Sequence, residues 1–224
     1  MMNLLVYGDS NSWGYLDNGT GLRYEHRWTQ IMQQEISYCG QCFVSQDCLP
    51  GRTVATDDPE FGAHFNGMNT VLSSVLAHSP NDHILLMLGT NSLKKRIKVS
   101  ALDICTQLIE MADVILQSGA GGGAWHDCYS PSVTIMCPPI LGLRSIDPDW
   151  INYDEWLGAR DKSLALPGLL KQATQIKGVD YFDTNEIVQA SNKDPIHLSP
   201  ENHHRLGKAM ANHVLNLPFN SSKM

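Results

Sequence analysis

No uninterrupted apolar run in this sequence is long enough to cross a bilayer; the longest, Ile84 to Leu88, has the length of a buried strand. Nothing at the N-terminus reads as a secretory signal, because Met1-Met2-Asn3 gives way almost at once to Leu4-Leu5-Val6 without a charged leader. Positive charge is scarce as well. Sixteen basic residues stand against 23 acidic ones, a net charge of −7, and the one basic cluster, Lys94, Lys95, Arg96 and Lys98, is short enough to read as a solvated face. Broad electrostatic binding to nucleic acid or anionic membrane is thereby disfavoured. The expectation is a cytoplasmic protein with no membrane insertion and no nucleic-acid partner.

Metal and disulfide patterns are incomplete. Cys39-Gly-Gln-Cys42 has redox or zinc spacing, but no second CxxC or CxxH completes a four-ligand set. A chain of 224 residues can bury a core without staples, so the six cysteines read as buried or half-buried thiols, with a facultative disulfide or a metal as alternatives. Asp57-Asp58 has no matching cluster and reads as a pair of solvated carboxylates; His203, His204 and His213 read as the solvated face of a last helix. No metal and no cofactor is expected.

What is present is an alternation of two hydrophobic periods. Unbroken apolar runs predict strands ending at Gly8, near Cys42 to Gln46, at His83 to Leu88, at Val133 to Cys137 and near Val179 to Phe182. Stripes at helical spacing, such as Trp28, Ile31, Met32 and Ile36, predict helices over 27–37, 67–78, 101–117, 159–177 and 200–217. Strands alternating with helices define an α/β domain with a parallel sheet of about five strands and helices on both faces. We expect one domain over residues 1–219 and a frayed polar tail over 220–224. Right-handed crossovers bring the loops that follow the strands to one edge of the sheet.

Four of those loops carry polar residues that chemistry could use. Ser10, in Gly8-Asp9-Ser10, is either a turn serine or a nucleophile delivered by the first strand. Asp194-Pro195-Ile196-His197 is a short stiff loop in which a carboxylate can reach the imidazole Nδ1 and leave Nε2 free to take a proton. Gly51, in Pro50-Gly51-Arg52-Thr53, offers an unobstructed N–H, and Asn91 offers a side-chain amide; with the Ser10 N–H they could receive charge developing on a carbonyl oxygen. Each also has a plain reading, Gly51 as turn punctuation and Asn91 as a cap. Asn11 and Trp13, beside Ser10, are the candidate substrate-binding side chains, with core packing as the alternative for Trp13.

These blocks, in this order over nearly the whole chain, resemble those of the SGNH hydrolases, a branch of the GDSL esterase/lipase superfamily. GDSNSWGY, LPGRTVATDDP and MLGTNSLK are similar to the arylesterase/acyltransferase-like subgroup, in which GDSxTWG, GRT and LGTNDLK are usual. The resemblance implies a flavodoxin-like three-layer α/β/α sandwich with strand order 2-1-3-4-5. It also implies Ser10 as nucleophile, His197 as base, Asp194 as its orienting carboxylate, and Ser10, Gly51 and Asn91 as the oxyanion hole. Two departures stand out: Asn11 replaces the Leu of the family name, and Ser92 replaces the Asp that usually follows the Asn. The segments over 16–26 and 141–158 carry no family motif; they read as a loop over the site and one wall of it, and so as the source of specificity.

The expected activity is metal-independent hydrolysis of short-chain aryl or alkyl carboxylic esters through an acyl-enzyme, with acyl transfer to alcohols where the site is dry. Carbohydrate acetylesterase and thioesterase or lysophospholipase are the alternatives within enzymes, and a ligand-binding relative without turnover is the alternative outside them. The partner is a small-molecule ester. The long loop after Pro139 gives a homo-oligomer a means of forming.

Overall fold

The computed structural model describes residues 1–123 and 129–218. The chain runs β1 (Met2–Gly8), α1 (Ser10–Trp13), α2 (Trp28–Ser37), β2 (Cys42–Cys48), α3 (Gly67–Ala77), β3 (His83–Met87), α4 (Ala101–Leu116), β4 (Ser132–Cys137), α5 (Ala159–Lys177), β5 (Asp180–Asp183) and α6 (Pro200–Leu215). The expected polar tail, and Cys128, lie outside the described residues.

All strands pair in parallel in the order β2-β1-β3-β4-β5. The apolar runs of β1 and β3 are buried on both faces, and alternate residues supply two separate cores. Leu5, Tyr7, Ile84 and Leu86 pack with Val71, Val75, Ile104, Leu108 and Leu166 under α3, α4 and α5. Leu4, Val6, Leu85 and Met87 pack with Trp28, Met32, Leu206 and Met210 under α2 and α6. The three-layer sandwich is therefore the expected one.

Most element bounds differ from the expected ones by one or two residues. Strand β2 runs on to Cys48 because it stays in register with β1 as far as Gly8. Strand β5 begins one residue later, at Asp180, where its pairing with Thr134 of β4 starts. The turn at Ser10 is itself a single helical turn: Asp9 caps it by accepting from the Asn11 N–H at 3.0 Å, and Gly14, at φ 89°, ends it in the left-handed region.

Candidate active site

Strand β1 lies between β2 and β3, so the loops that follow these three strands open side by side at the carboxyl edge. Ser10 is the first residue of α1, 5% exposed, and its N–H belongs to the first turn, where no intrahelical acceptor exists. Gly51 follows β2 with φ 93°, a conformation L side chains rarely adopt, and a Cβ there would come within 3.1 Å of the Phe65 ring. Its neighbour Arg52 is buried and ties this turn to the serine strand, donating to the Gly8 carbonyl at 3.2 Å and the Asp47 carbonyl at 2.7 Å. Asn91 follows β3 and opens a 3-10 turn over Asn91–Leu93. Its Nδ2 is buried with no hydrogen-bond partner, an arrangement that costs free energy unless something else accepts from it.

The fourth loop, before α6, closes the cluster. Asp194 Oδ1 accepts from the Ile196 and His197 N–H groups at 2.9 and 3.3 Å, and Oδ2 accepts from His197 Nδ1 at 2.6 Å. His197 Nε2 meets Ser10 Oγ at 3.0 Å. Burial alone would raise the Asp194 carboxyl; the His197 hydrogen bond and charge, with the two backbone donors, outweigh it and hold the group below the usual carboxylate range. An ionised Asp194 puts the imidazole proton on Nδ1, so Nε2 accepts from the serine hydroxyl. The structure thus brings Ser10, His197 and Asp194 into one hydrogen-bonded chain across 187 residues of sequence.

Asn11 is placed differently from expectation. It is 1% exposed, and both ends of its amide are occupied: Nδ2 donates to the Ile196 carbonyl at 3.1 Å and Oδ1 accepts from the Leu198 N–H at 3.2 Å. It straps the serine turn to the histidine loop. Trp13 is half-buried, with the Arg23 guanidinium 5.2 Å above its ring and its carbonyl accepting from Arg23 Nε at 2.8 Å. Ser92, where the resembling motif has Asp, is fully buried and accepts from the Val54 N–H at 3.0 Å. A hydroxyl thus ties the Asn91 turn to the segment after Gly51 without a charge.

Three readings of charged residues are corrected by burial. The basic cluster is a solvated face only at Lys95 and Lys98: Lys94 is 6% exposed and pairs with Glu155 at 2.9 Å, while Arg96 contacts Glu155 at 2.6 Å. Arg96 also grips Asp58, a carboxylate with a fully buried side chain, through its Nε and its terminal nitrogen. These ion pairs cross-link the loops around 58, 95 and 155. His203 is likewise buried: its Nδ1 faces the Trp28 N–H at 3.3 Å, and burial pushes it down to about 3, so it is neutral. His213 pairs with Asp180 at 2.7 Å.

Cys39, Cys42, Cys48, Cys105 and Cys137 are free thiols, and burial pushes Cys42 up to about 11. Cys39 and Cys42 therefore form no disulfide here. Among the described residues no group of three or more His, Cys, Asp or Glu could hold a metal ion. Nor is any helix among them long and apolar enough to cross a membrane.

Two features escaped the sequence reading. Tyr15 stacks on the His197 ring, with centroids 4.4 Å apart and planes 23° apart. The only local signal was Gly14, whose left-handed turn sends the chain back over the serine. Asp9, directly behind Ser10, is 1% exposed, and burial pushes it up to about 6 against the pull of the Asn11 N–H and the His197 charge.

A hydroxyl in contact with an imidazole backed by a carboxylate, beside a buried amide donor without an acceptor, has the parts acyl transfer needs. With this fold, it defines the protein as a carboxylic ester hydrolase. Residues 4–210 match the family model described as GDSL-like Lipase/Acylhydrolase, and the chain belongs to that family.

Among solved structures it is similar to Est24, a carbohydrate acetylesterase from Sinorhizobium meliloti, with 29% identity, coverage of 96% of this chain and 99% of that one, and a TM-score of 0.87. It is similar to the aryl esterase of M. smegmatis, with 27% identity, 97% and 100% coverage and a TM-score of 0.87. A putative arylesterase from Agrobacterium tumefaciens shares 28% identity over 96% of this chain and 99% of its own, with a TM-score of 0.81. No curated protein matches the chain.

Proposed function

We propose that the enzyme cleaves short-chain aryl or alkyl esters with Ser10 as nucleophile, His197 as general base and acid, and Asp194 as the orienting carboxylate. The observation that carries this reading is the single imidazole bridging Ser10 Oγ at 3.0 Å and Asp194 Oδ2 at 2.6 Å. Ser10 Oγ attacks the ester carbonyl while its proton passes to His197 Nε2. The oxyanion is received by the Ser10 and Gly51 N–H groups and Asn91 Nδ2; the last is buried without an acceptor, which supports its assignment. The imidazolium then gives its proton to the departing alcohol, and water, activated by the same imidazole, releases the acid and restores the hydroxyl.

An alcohol that reaches the acyl-enzyme before water completes the same second half as an acyl transfer. A second substrate class, acetylated carbohydrate, is favoured by the likeness to the S. meliloti acetylesterase. Initial rates on p-nitrophenyl esters of increasing acyl length against acetylated sugars separate the two. The reading includes a reducing, cytoplasmic setting, which the five free thiols among the described residues support. It also includes self-association through the 141–158 loop, where Leu143, Ile146 and Ile151 are exposed, a point that light scattering tests.

The decisive variant is Ser10→Ala. It should lower hydrolysis of p-nitrophenyl acetate by at least about 10⁴-fold with an unchanged thermal melt, since removing one member of such a chain costs about as much as removing all of it. Activity retained in this variant would remove the proposal.

A further inference from the structure

We propose that Tyr15 is a positioning residue for His197, its ring holding the imidazole in the plane that joins Asp194 to Ser10. The inference rests on the nucleophile and base assigned above. Tyr15 bridges the two loops that meet in the site: its N–H donates to the Ser10 carbonyl at 3.0 Å, and its ring lies 4.4 Å from that of His197 at 23°. Gly14, left-handed at φ 89°, makes this path possible, and a Cβ there would come within 2.8 Å of Arg27 Cβ.

The residues that follow form a small antiparallel hairpin. Tyr15 pairs with Arg23, the Leu16 N–H donates to the Leu22 carbonyl at 3.1 Å, and the Tyr24 N–H donates to the Gly14 carbonyl at 2.6 Å. At the hairpin tip Asp17 accepts from Ser191 Oγ at 2.5 Å, and the Ser191 N–H donates to the His197 carbonyl at 2.8 Å. The hairpin therefore holds His197 twice, by its ring face and, through Ser191, by its backbone.

Two hydrogen bonds at opposite ends of an imidazole leave it free to rock about the line that joins them; a flat ring stacked on one face removes that freedom. The stack also gains when Nε2 takes the serine proton, because the imidazolium then lies against the negative face of the phenol ring. An interaction stronger in the transition state than in the ground state acts on kcat rather than on KM. What is needed is an aromatic face, and the hydroxyl is dispensable.

The test is kinetics on p-nitrophenyl acetate for Tyr15→Ala, Tyr15→Leu, Tyr15→Phe and Tyr15→Trp, with Ser10→Ala alongside, together with proton NMR of the His197 ring. The Ala and Leu variants should lose about 10- to 100-fold in kcat with KM within about threefold, and Phe and Trp should stay within about threefold of the parent. The His197 ring protons, shifted upfield by the stacked ring, should move downfield in Ala and Leu and stay in place in Phe and Trp. Leu keeps apolar bulk without a π-face, so a folding defect in Ala leaves the comparison intact. Full kcat in both Ala and Leu, or a loss that falls on KM, overturns the assignment, and so does a Phe variant as slow as Ala. If Ser10→Ala remains active, the nucleophile reading fails instead, and the NMR shift still reports whether the rings stack.

Discussion

The two ends of the sheet carry the same kinds of side chain and use them differently. At the carboxyl edge the order is hydroxyl, imidazole, carboxylate: Ser10, His197, Asp194. At the amino edge, His83 Nε2 meets Thr134 Oγ1 at 2.7 Å, Thr134 Oγ1 donates to Asp180 Oδ2 at 2.5 Å, and His213 Nε2 meets the same oxygen at 2.7 Å. There the hydroxyl gives its proton straight to a carboxylate. Burial would raise Asp180, but the bonds from His213 and Thr134 outweigh it and hold the group below its ordinary value. The chain at the amino edge fastens β3, β4, β5 and α6 together. Among the described residues only the carboxyl edge faces helix N-termini, whose free N–H groups suit a developing negative charge. Residue types alone do not make a nucleophile; the order of partners and the end of the sheet do.

The sharpest way to break this contrast is to remove one imidazole from each end. His197→Ala should lower kcat/KM by about 10⁴-fold or more with little change in the thermal melt. His213→Ala should keep full turnover at 25 °C and lower the melting temperature by about 2–4 °C, the size expected for one partly exposed hydrogen-bonded pair of about 1 kcal/mol. Loss of turnover in His213→Ala would show that the amino edge is wired to the site.

The carboxylates give a smaller pair of effects. Asp194→Asn should cut kcat by about 10³- to 10⁴-fold by unfixing the imidazole tautomer, whereas Asp180→Asn should leave kcat within about twofold and again lower the melting temperature. Equal kinetic effects would dissolve the comparison.

The last effect concerns pH, falls on stability alone and sharpens the contrast without touching turnover. Burial pushes His83 down from 6.5 to about 4, so between these values the unfolded chain binds a proton that the folded chain refuses. The stability this contributes is fully present above pH 6.5 and is lost as pH falls toward 4, by about 3 kcal/mol in all. Thermal melts of His83→Gln between pH 7 and pH 4.5 should decline less than those of the parent, while both proteins show the same pH dependence of kcat/KM. An unchanged decline would assign the acid sensitivity elsewhere, with His203, buried and pushed down to about 3, the next group to replace.

The strand runs and helical stripes were legible because period-2 and period-3.6 burial are written one residue at a time, and five strands with their intervening helices emerged at the expected places. The four site blocks were legible because each sits in a loop just after a strand or before a helix, where turn chemistry leaves a mark. Lys94, Asp58 and His203 were misjudged for one common reason. Exposure was inferred from polarity, yet each of these side chains is buried against a partner between 38 and 175 residues away in sequence. No local pattern reports such a partner.

The sequence by itself determined the α/β alternation, the edge on which the loops converge and the residue types at that edge, because hydrophobic period and crossover handedness follow from local sterics. The tertiary structure alone decided which hydroxyl meets which imidazole, that Asn11 straps the site together, and that Tyr15 lies flat on His197. Those outcomes depend on distances of a few tenths of an ångström between segments far apart in the chain, and only the packing of the whole molecule sets such distances.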